Sequence, residues 1–333
     1  MKVWKRSLPV WLLTLVMLLT ACGTPSQPDQ PDGTETWREA YEETGAYLQA
    51  QTAPTVGSIG GEWAVIGLSR ARLLSDETAQ SYEQTVEDYV KQAGSVRLHH
   101  AKSTENSRTI LGLTAAGYNA ANVAGVDLTA GLTDMAYLRA QGTNGPIWAL
   151  IALDCHGYDI PQCADGEEQT TREGLVAEIL SYQCSDGGWA LMGDESDVDM
   201  TAMALTSLAP YQEETDVKAA VDAALTYLSD AQQADGGFMS WGAANSESCA
   251  QVIVALTALG IDPAADSRFV KNGASPLDGL CAFACEGGGF RHSDEQMESD
   301  GMATEQGFYA LAAYDRFQQG QTRLFDMTDI EVK

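Results

Sequence analysis

The chain has 333 residues, 44% of them hydrophobic, and a formal net charge of −28. A chain this acidic offers no basic patch to a phosphate backbone, which excludes nucleic acid as a partner, and its charge favours cationic partners or divalent ions. Its 4 histidines and 7 cysteines contain no Cys-x-x-Cys or His-x-x-x-His spacing, so a thiolate or imidazole zinc site is not expected, and no cofactor is assigned.

The first residues read "MKVWKRSLPVWLLTLVMLLTAC". Lys2, Lys5 and Arg6 precede an apolar run over 10–19 that is short for a bilayer span, and Leu19-Thr20-Ala21 leads into Cys22. This is a secretory signal over 1–21 with a lipobox, similar to bacterial lipoprotein signals in which the cysteine is diacylated. Residues 1–21 hold three cations and no acid, so the mature chain would carry −31. Acyl chains on Cys22 would anchor it to the extracytoplasmic face of the cell membrane. Residues 22–35 are rich in Pro, Gly, Ser and Asp and read as a flexible tether. The folded part is expected over 36–326, with 327–333 as a tail.

From residue 36 two kinds of segment alternate six times. Segments 36–51, 81–93, 128–141, 171–183, 217–233 and 276–285 place apolar residues at spacings of three and four between polar ones, which predicts helices exposed on one face. Segments 60–74, 103–118, 143–158, 196–211, 246–260 and 302–314 are rich in Ala, Gly and Leu and apolar nearly all round, which predicts buried helices. Each of the second set carries a small residue followed by Leu, as at Gly67-Leu68, Ala204-Leu205 and Ala310-Leu311. Such repetition predicts an all-α double ring, with six buried helices inside six exposed ones.

Three loops repeat as well: "YQCSDGGW" over 182–189, "AQQADGGF" over 231–238 and "ACEGGGF" over 284–290. Glycines end the preceding helix, and the aromatic packs back on it. The first two share Gln-x-x-x-Gly-x-aromatic, in Gln183, Gly187, Trp189 and in Gln232, Gly236, Phe238.

These loops and Ala-Leu helices resemble the repeats of terpenoid cyclases and protein prenyltransferase β subunits, over most of 36–320 and most strongly over 175–317. The resemblance implies an α/α toroid of six helical hairpins. It extends to cobalamin carriers of the transcobalamin and intrinsic-factor type, which makes a corrinoid a candidate ligand. Cyclases of this family carry Asp-x-Asp-Asp-Thr-Ala, and the same frame here reads Asp197-Val198-Asp199-Met200-Thr201-Ala202. The resemblance gives Asp199 the place of the proton donor and Asp197 that of its partner, while Met200 replaces the third aspartate. The prenyltransferase zinc site has a partial echo in Glu247-Ser248-Cys249, but Thr304 and Glu305 stand where its histidine would be.

Aligning the buried helices on their small-Leu step places Glu62, Ser107, Asn144, Asp199, Ala250 and Glu305 at one level. Parallel inner helices would bring them to one mouth, beside Glu105, Asn106, Arg108, Asp197 and Glu247, with Trp63 and Trp148 a turn deeper or less. Taken singly, each polar residue also reads as a helix-start residue, capping N–H groups and complementing the dipole. As a ring they form a concave acidic site. Its expected ligand-binding residues are Glu62, Arg108, Asn144, Trp148, Asp199, Glu247 and Glu305. Two functions follow: capture of a small molecule (a corrinoid or a divalent cation among the candidates) or of a partner at the mouth, or cyclase-like protonation of an isoprenoid by Asp199. With Cys22 acylated, six cysteines remain; Cys155 and Cys163 are the first disulfide pair to test, and Cys281 and Cys285 are expected to be buried.

Overall fold

A computed structural model describes residues 33–51 and 54–333. The signal segment, Cys22 and the tether up to residue 32 lie outside the described residues. Helix α1 (Gly33–Gln49) begins three residues ahead of the expected start at Thr36. All six buried segments form helices: α2 (Glu62–Arg70), α4 (Thr104–Ala115), α6 (Asn144–Asp154), α8 (Val198–Leu208), α10 (Ser246–Ala258) and α12 (Gly301–Gln318). Each packs on the next and α12 packs on α2, which closes the ring. Their composition explains their place: α6 reads "NGPIWALIALD", and nine of its residues, Gly145 to Leu153, are buried.

The outer helices are α1, α3 (Asp76–Ala93), α5 (Met135–Arg139), α7 (Arg172–Ser181), α9 (Thr215–Ala231) and α11 (Pro276–Cys281). In α3 the buried stripe is Ala79, Tyr82, Val86 and Val90, a spacing of three or four that gives a helix one dry face. Ser75 caps its start by accepting from the Thr78 N–H, and left-handed Gly94 ends it. Two outer segments are shorter than their sequence pattern. Residues 128–141 split into a 3₁₀ turn at Leu128–Leu132 and one turn of α5, because Asp134 caps a fresh start at the Ala136 N–H. Helix α11 is six residues long, and the left-handed glycines Gly287, Gly288 and Gly289 follow it.

The repeated loops have a specific bonding scheme. Gln183 Nε2 donates to the Gly187 carbonyl and to that of Ala220 on α9, the next outer helix. Gln232 repeats this with Gly236 and Phe269. One amide thus holds its own turn and ties it to the following repeat by donating to two carbonyls. A two-residue hairpin, β1 (Met239–Ser240) and β2 (Ala243–Ala244), precedes α10, with Trp241 and Gly242 both at positive φ as its tight turn requires.

The cysteine expectations need correction. All six described cysteines are free: Cys155 donates to Thr114 Oγ1 and Cys163 to the Glu167 carbonyl, so the two thiols turn to different partners. Cys281 and Cys285 are half-buried rather than buried.

Residues 319–333 run across the C-terminal ends of the inner helices. Arg70 of α2 and Arg316 of α12 both bind Asp329 and Thr322, and the Met327 N–H donates to the Cys155 carbonyl. The stretch expected as a tail, 327–333, is therefore docked on the ring. Phe325 enters the centre and meets Trp148 at 5.8 Å and Tyr309 at 6.3 Å. Trp63 completes the group, 5.0 Å from Trp148 and 6.0 Å from Tyr309. The axis of the toroid is a packed aromatic core at this level. Among the described residues no helix is long and apolar enough to cross a membrane.

Candidate functional site

The inner helices present their N-termini to one face, and three of them start on a side-chain cap. Asp197, Asn245 and Asp300 each accept a hydrogen bond from the backbone N–H three residues on, starting α8, α10 and α12. Thr201 and Thr304, each four residues past its cap, accept from the N–H of the loop aromatics Trp189 and Phe290. These pairs set the true register of the repeat. Asp199, two residues past its cap, is equivalent to Glu247, whereas Glu305 lies five past its cap and so one turn deeper.

The expected ring therefore divides. Glu62 is fully buried and committed: Arg108 Nε donates to it at 2.9 Å, the Gly57 N–H at 3.0 Å and the Tyr82 hydroxyl at 3.2 Å. Burial pushes its carboxyl upward, opposed mainly by the Arg108 guanidinium. Arg108 also donates through Nη2 to Glu105. Glu305 accepts from the Gly60 N–H at 2.6 Å and faces a small cavity of about 110 Å³ between α2 and α1, away from the axis. Its Oε2 has no partner, and burial pushes the group up to about 7 against the pull of the Gly60 and Ala64 N–H groups. Trp148 belongs to the aromatic core, and Asn144 sits half-buried in the first turn of α6.

Asp197, Asp199 and Glu247 remain together at the face. Asp197 is the cap of α8, and its second oxygen accepts from Ser240 Oγ at 2.5 Å. Asp199 Oδ1 is buried without a hydrogen-bond partner. Burial pushes this carboxyl up to about 6; Asp197 and Glu247 add to that, and the hydroxyls of Ser248 and Ser240 oppose it. Glu247 pairs with His292 Nδ1 at 2.8 Å. Sequence reasoning missed Ser240 and His292. Both stand two residues after a loop aromatic, Phe238 or Phe290, and both reach back to the acid at the start of the preceding inner helix. Below them Gln251 donates to Tyr309 and to Gln306, which joins the acidic face to the aromatic core. No group of three or more His, Cys, Asp or Glu among the described residues has the arrangement of a metal site.

The loops around this face carry exposed apolar residues among acidic ones. The exposed large hydrophobic residues among the described ones are Ile59, Val96, Leu191, Met192, Met239, Trp241 and Met297. Every one lies on a connection leading into the N-terminus of an inner helix. Trp241, at the hairpin tip, is 87% exposed, and Met192 and Met297 are 77% and 90% exposed. Asp194, Glu195, Asp294, Glu295 and Glu298 are exposed on the loops flanking that hairpin.

Comparison with known proteins bears on the fold. No protein-family model matches the sequence, and no curated protein does. Among solved structures, the unsaturated glucuronyl hydrolase of Bacillus sp. GL1 superposes with a TM-score of 0.58 at 11% identity, covering 88% of this chain and 99% of that one. Protein geranylgeranyltransferase-I of Candida albicans gives 0.57 at 11% identity, over 89% and 99%. The ent-copalyl diphosphate synthase of Streptomyces platensis gives 0.47 at 16% identity, and the match spans 76% of this chain and only 49% of that one. The chain is an α/α toroid, the fold of the terpene cyclases and protein prenyltransferases that its repeats resemble. The fold houses many chemistries, and the hydrolase neighbour adds one that the repeats do not suggest.

Proposed function

We propose that this chain is a binding module. The face at the N-termini of its inner helices captures a ligand or partner that combines a cationic group with an apolar body. One observation carries the reading: exposed apolar side chains share this face with a cluster of acids in which Asp199 Oδ1 is buried without a partner. A buried carboxylate oxygen without a donor is costly, and a ligand cation would relieve that cost. The apolar rim would cover the rest of the ligand, with Trp241 as its anchor. A divalent cation tests the charge half of this recognition, and a corrinoid, suggested by the resemblance to cobalamin carriers, tests a larger ligand. Diacylated Cys22 would tether the module to the extracytoplasmic face of the membrane.

A second reading keeps Asp199 as a cyclase-like acid. Its raised pKa favours that role, since such an acid holds its proton nearer to neutrality. Against it stands the packed axis, where Trp63, Trp148, Tyr309 and Phe325 occupy the space a polyene would need.

The test is the fluorescence of Trp241 during titration of the exported chain with n-octylamine. Binding predicts a saturable blue shift, absent in Trp241→Phe and displaced to higher concentration in Asp199→Asn. An identical response in all three proteins sinks the reading. Isoprenoid turnover that Asp199→Asn abolishes establishes the enzyme instead.

A further inference from the structure

We propose a second binding site at the opposite end of the toroid, for a small carboxylate with an apolar body. Between the C-terminal halves of α6, α8 and α10 and the docked segment 323–328 lies a cavity of about 280 Å³. That is room for about nine waters at ~30 Å³ each, or for one small organic molecule. Ile151, Val254, Ala258, Leu324 and Phe325 give it an apolar floor. It opens to solvent past Pro210 and Thr328, both exposed.

The polar groups at its rim decide the sign of the ligand. Asp154 is spent: one oxygen accepts from Arg172 Nε at 2.7 Å and the other from the Tyr211 hydroxyl at 2.7 Å. Asp326 Oδ1 accepts from Thr328. Arg323 differs from the other arginines of this end. Arg70, Arg172 and Arg316 each donate several hydrogen bonds, whereas the Arg323 guanidinium donates none among the described residues. Its nearest carboxylate oxygen, on Asp326, is 4.0 Å away. Arg323 lines this cavity and also the adjoining one of about 530 Å³. A planar fork that makes no hydrogen bond of its own among the described residues, beside an apolar pocket, matches a carboxylate, which can take two parallel hydrogen bonds from it. A cationic ligand would meet a guanidinium here, so this site and the opposite face select opposite charges.

Calorimetric titration of octanoate into the full chain tests the inference. The expected result is saturable binding that weakens at least about tenfold in Arg323→Ala, the loss of one charge-assisted pair. Ala258→Phe, which fills the cavity, abolishes it. Arg323→Ala keeps the backbone carbonyl to which Arg70 donates, so that variant carries the test should Ala258→Phe fail to fold. Octylamine should not compete. Failure of the unsubstituted chain to bind octanoate, undiminished binding by Arg323→Ala, or displacement by octylamine would each overturn the proposal. None of these outcomes depends on the acidic face.

Discussion

Replacing Asp199 by Asn should make the protein more stable at neutral pH, although it removes a carboxylate from the candidate site. Asn has nearly the same shape and carries no charge. The Asp199 carboxyl is raised from 3.8 to about 6 in the folded chain, because burial disfavours its charged form. A rise of about 2 units at 1.36 kcal/mol each is about 3 kcal/mol. The sign follows from linkage: the folded state holds this proton more tightly than the unfolded state does. The unsubstituted protein therefore loses stability as pH climbs from about 4 to about 6, and the deficit persists above that. Asp199→Asn escapes the loss. Its melting temperature should match the parent near pH 4 and exceed it near pH 8 by about 6 °C, at about 2 °C per kcal/mol for a domain of this size. Calorimetric melting of both proteins across that range is the assay. A difference that stays constant with pH, or a variant less stable near pH 8, would refute a desolvated Asp199.

Glu305→Gln should behave likewise, with its gain appearing between about pH 4.5 and about 7, since burial pushes Glu305 up to about 7; pH-dependent melting checks it. Gly236→Ala should be among the most damaging small changes, because Gly236 has φ 87° and an added Cβ would stand 2.1 Å from the Ser275 carbonyl oxygen. Chemical denaturation should register a loss of more than about 1 kcal/mol, the cost of a left-handed non-glycine residue alone. Phe325→Ala should cost about 3–5 kcal/mol in the same assay, as removal of a buried aromatic from the axis. A loss below about 1 kcal/mol would mean that the docked C-terminal segment adds little to the core.

The inner ring was legible because its helices are apolar on every side, a pattern with few homes outside a buried layer. The Gln-x-x-x-Gly-x-aromatic loops were legible as repeats, but only coordinates reveal why glutamine is used: Gln183 and Gln232 each hold two carbonyls. The level of the acids was harder to read. The small-Leu step aligns the middles of the helices, whereas the caps Asp197, Asn245 and Asp300 set their starts. The small-Leu step lies seven residues past its cap in α8 and ten past it in α10 and α12, so Glu305 looked level with Asp199 although it faces another cavity. Ser240 and His292 act from loops, where side-chain targets leave no periodic trace. The docking of 319–333 depends on Arg70, some 250 residues earlier in the chain, a pairing that local pattern does not announce.

The central claim is that the acidic, apolar-rimmed face holds a cationic ligand through Asp199. Native mass spectrometry of the full chain, purified beside Asp199→Asn and Trp241→Ser, tests it most directly. The account predicts a copurifying species with a positive charge and an apolar body, depleted in both variants. A bound species that is anionic, or one retained in full by Asp199→Asn, would contradict it.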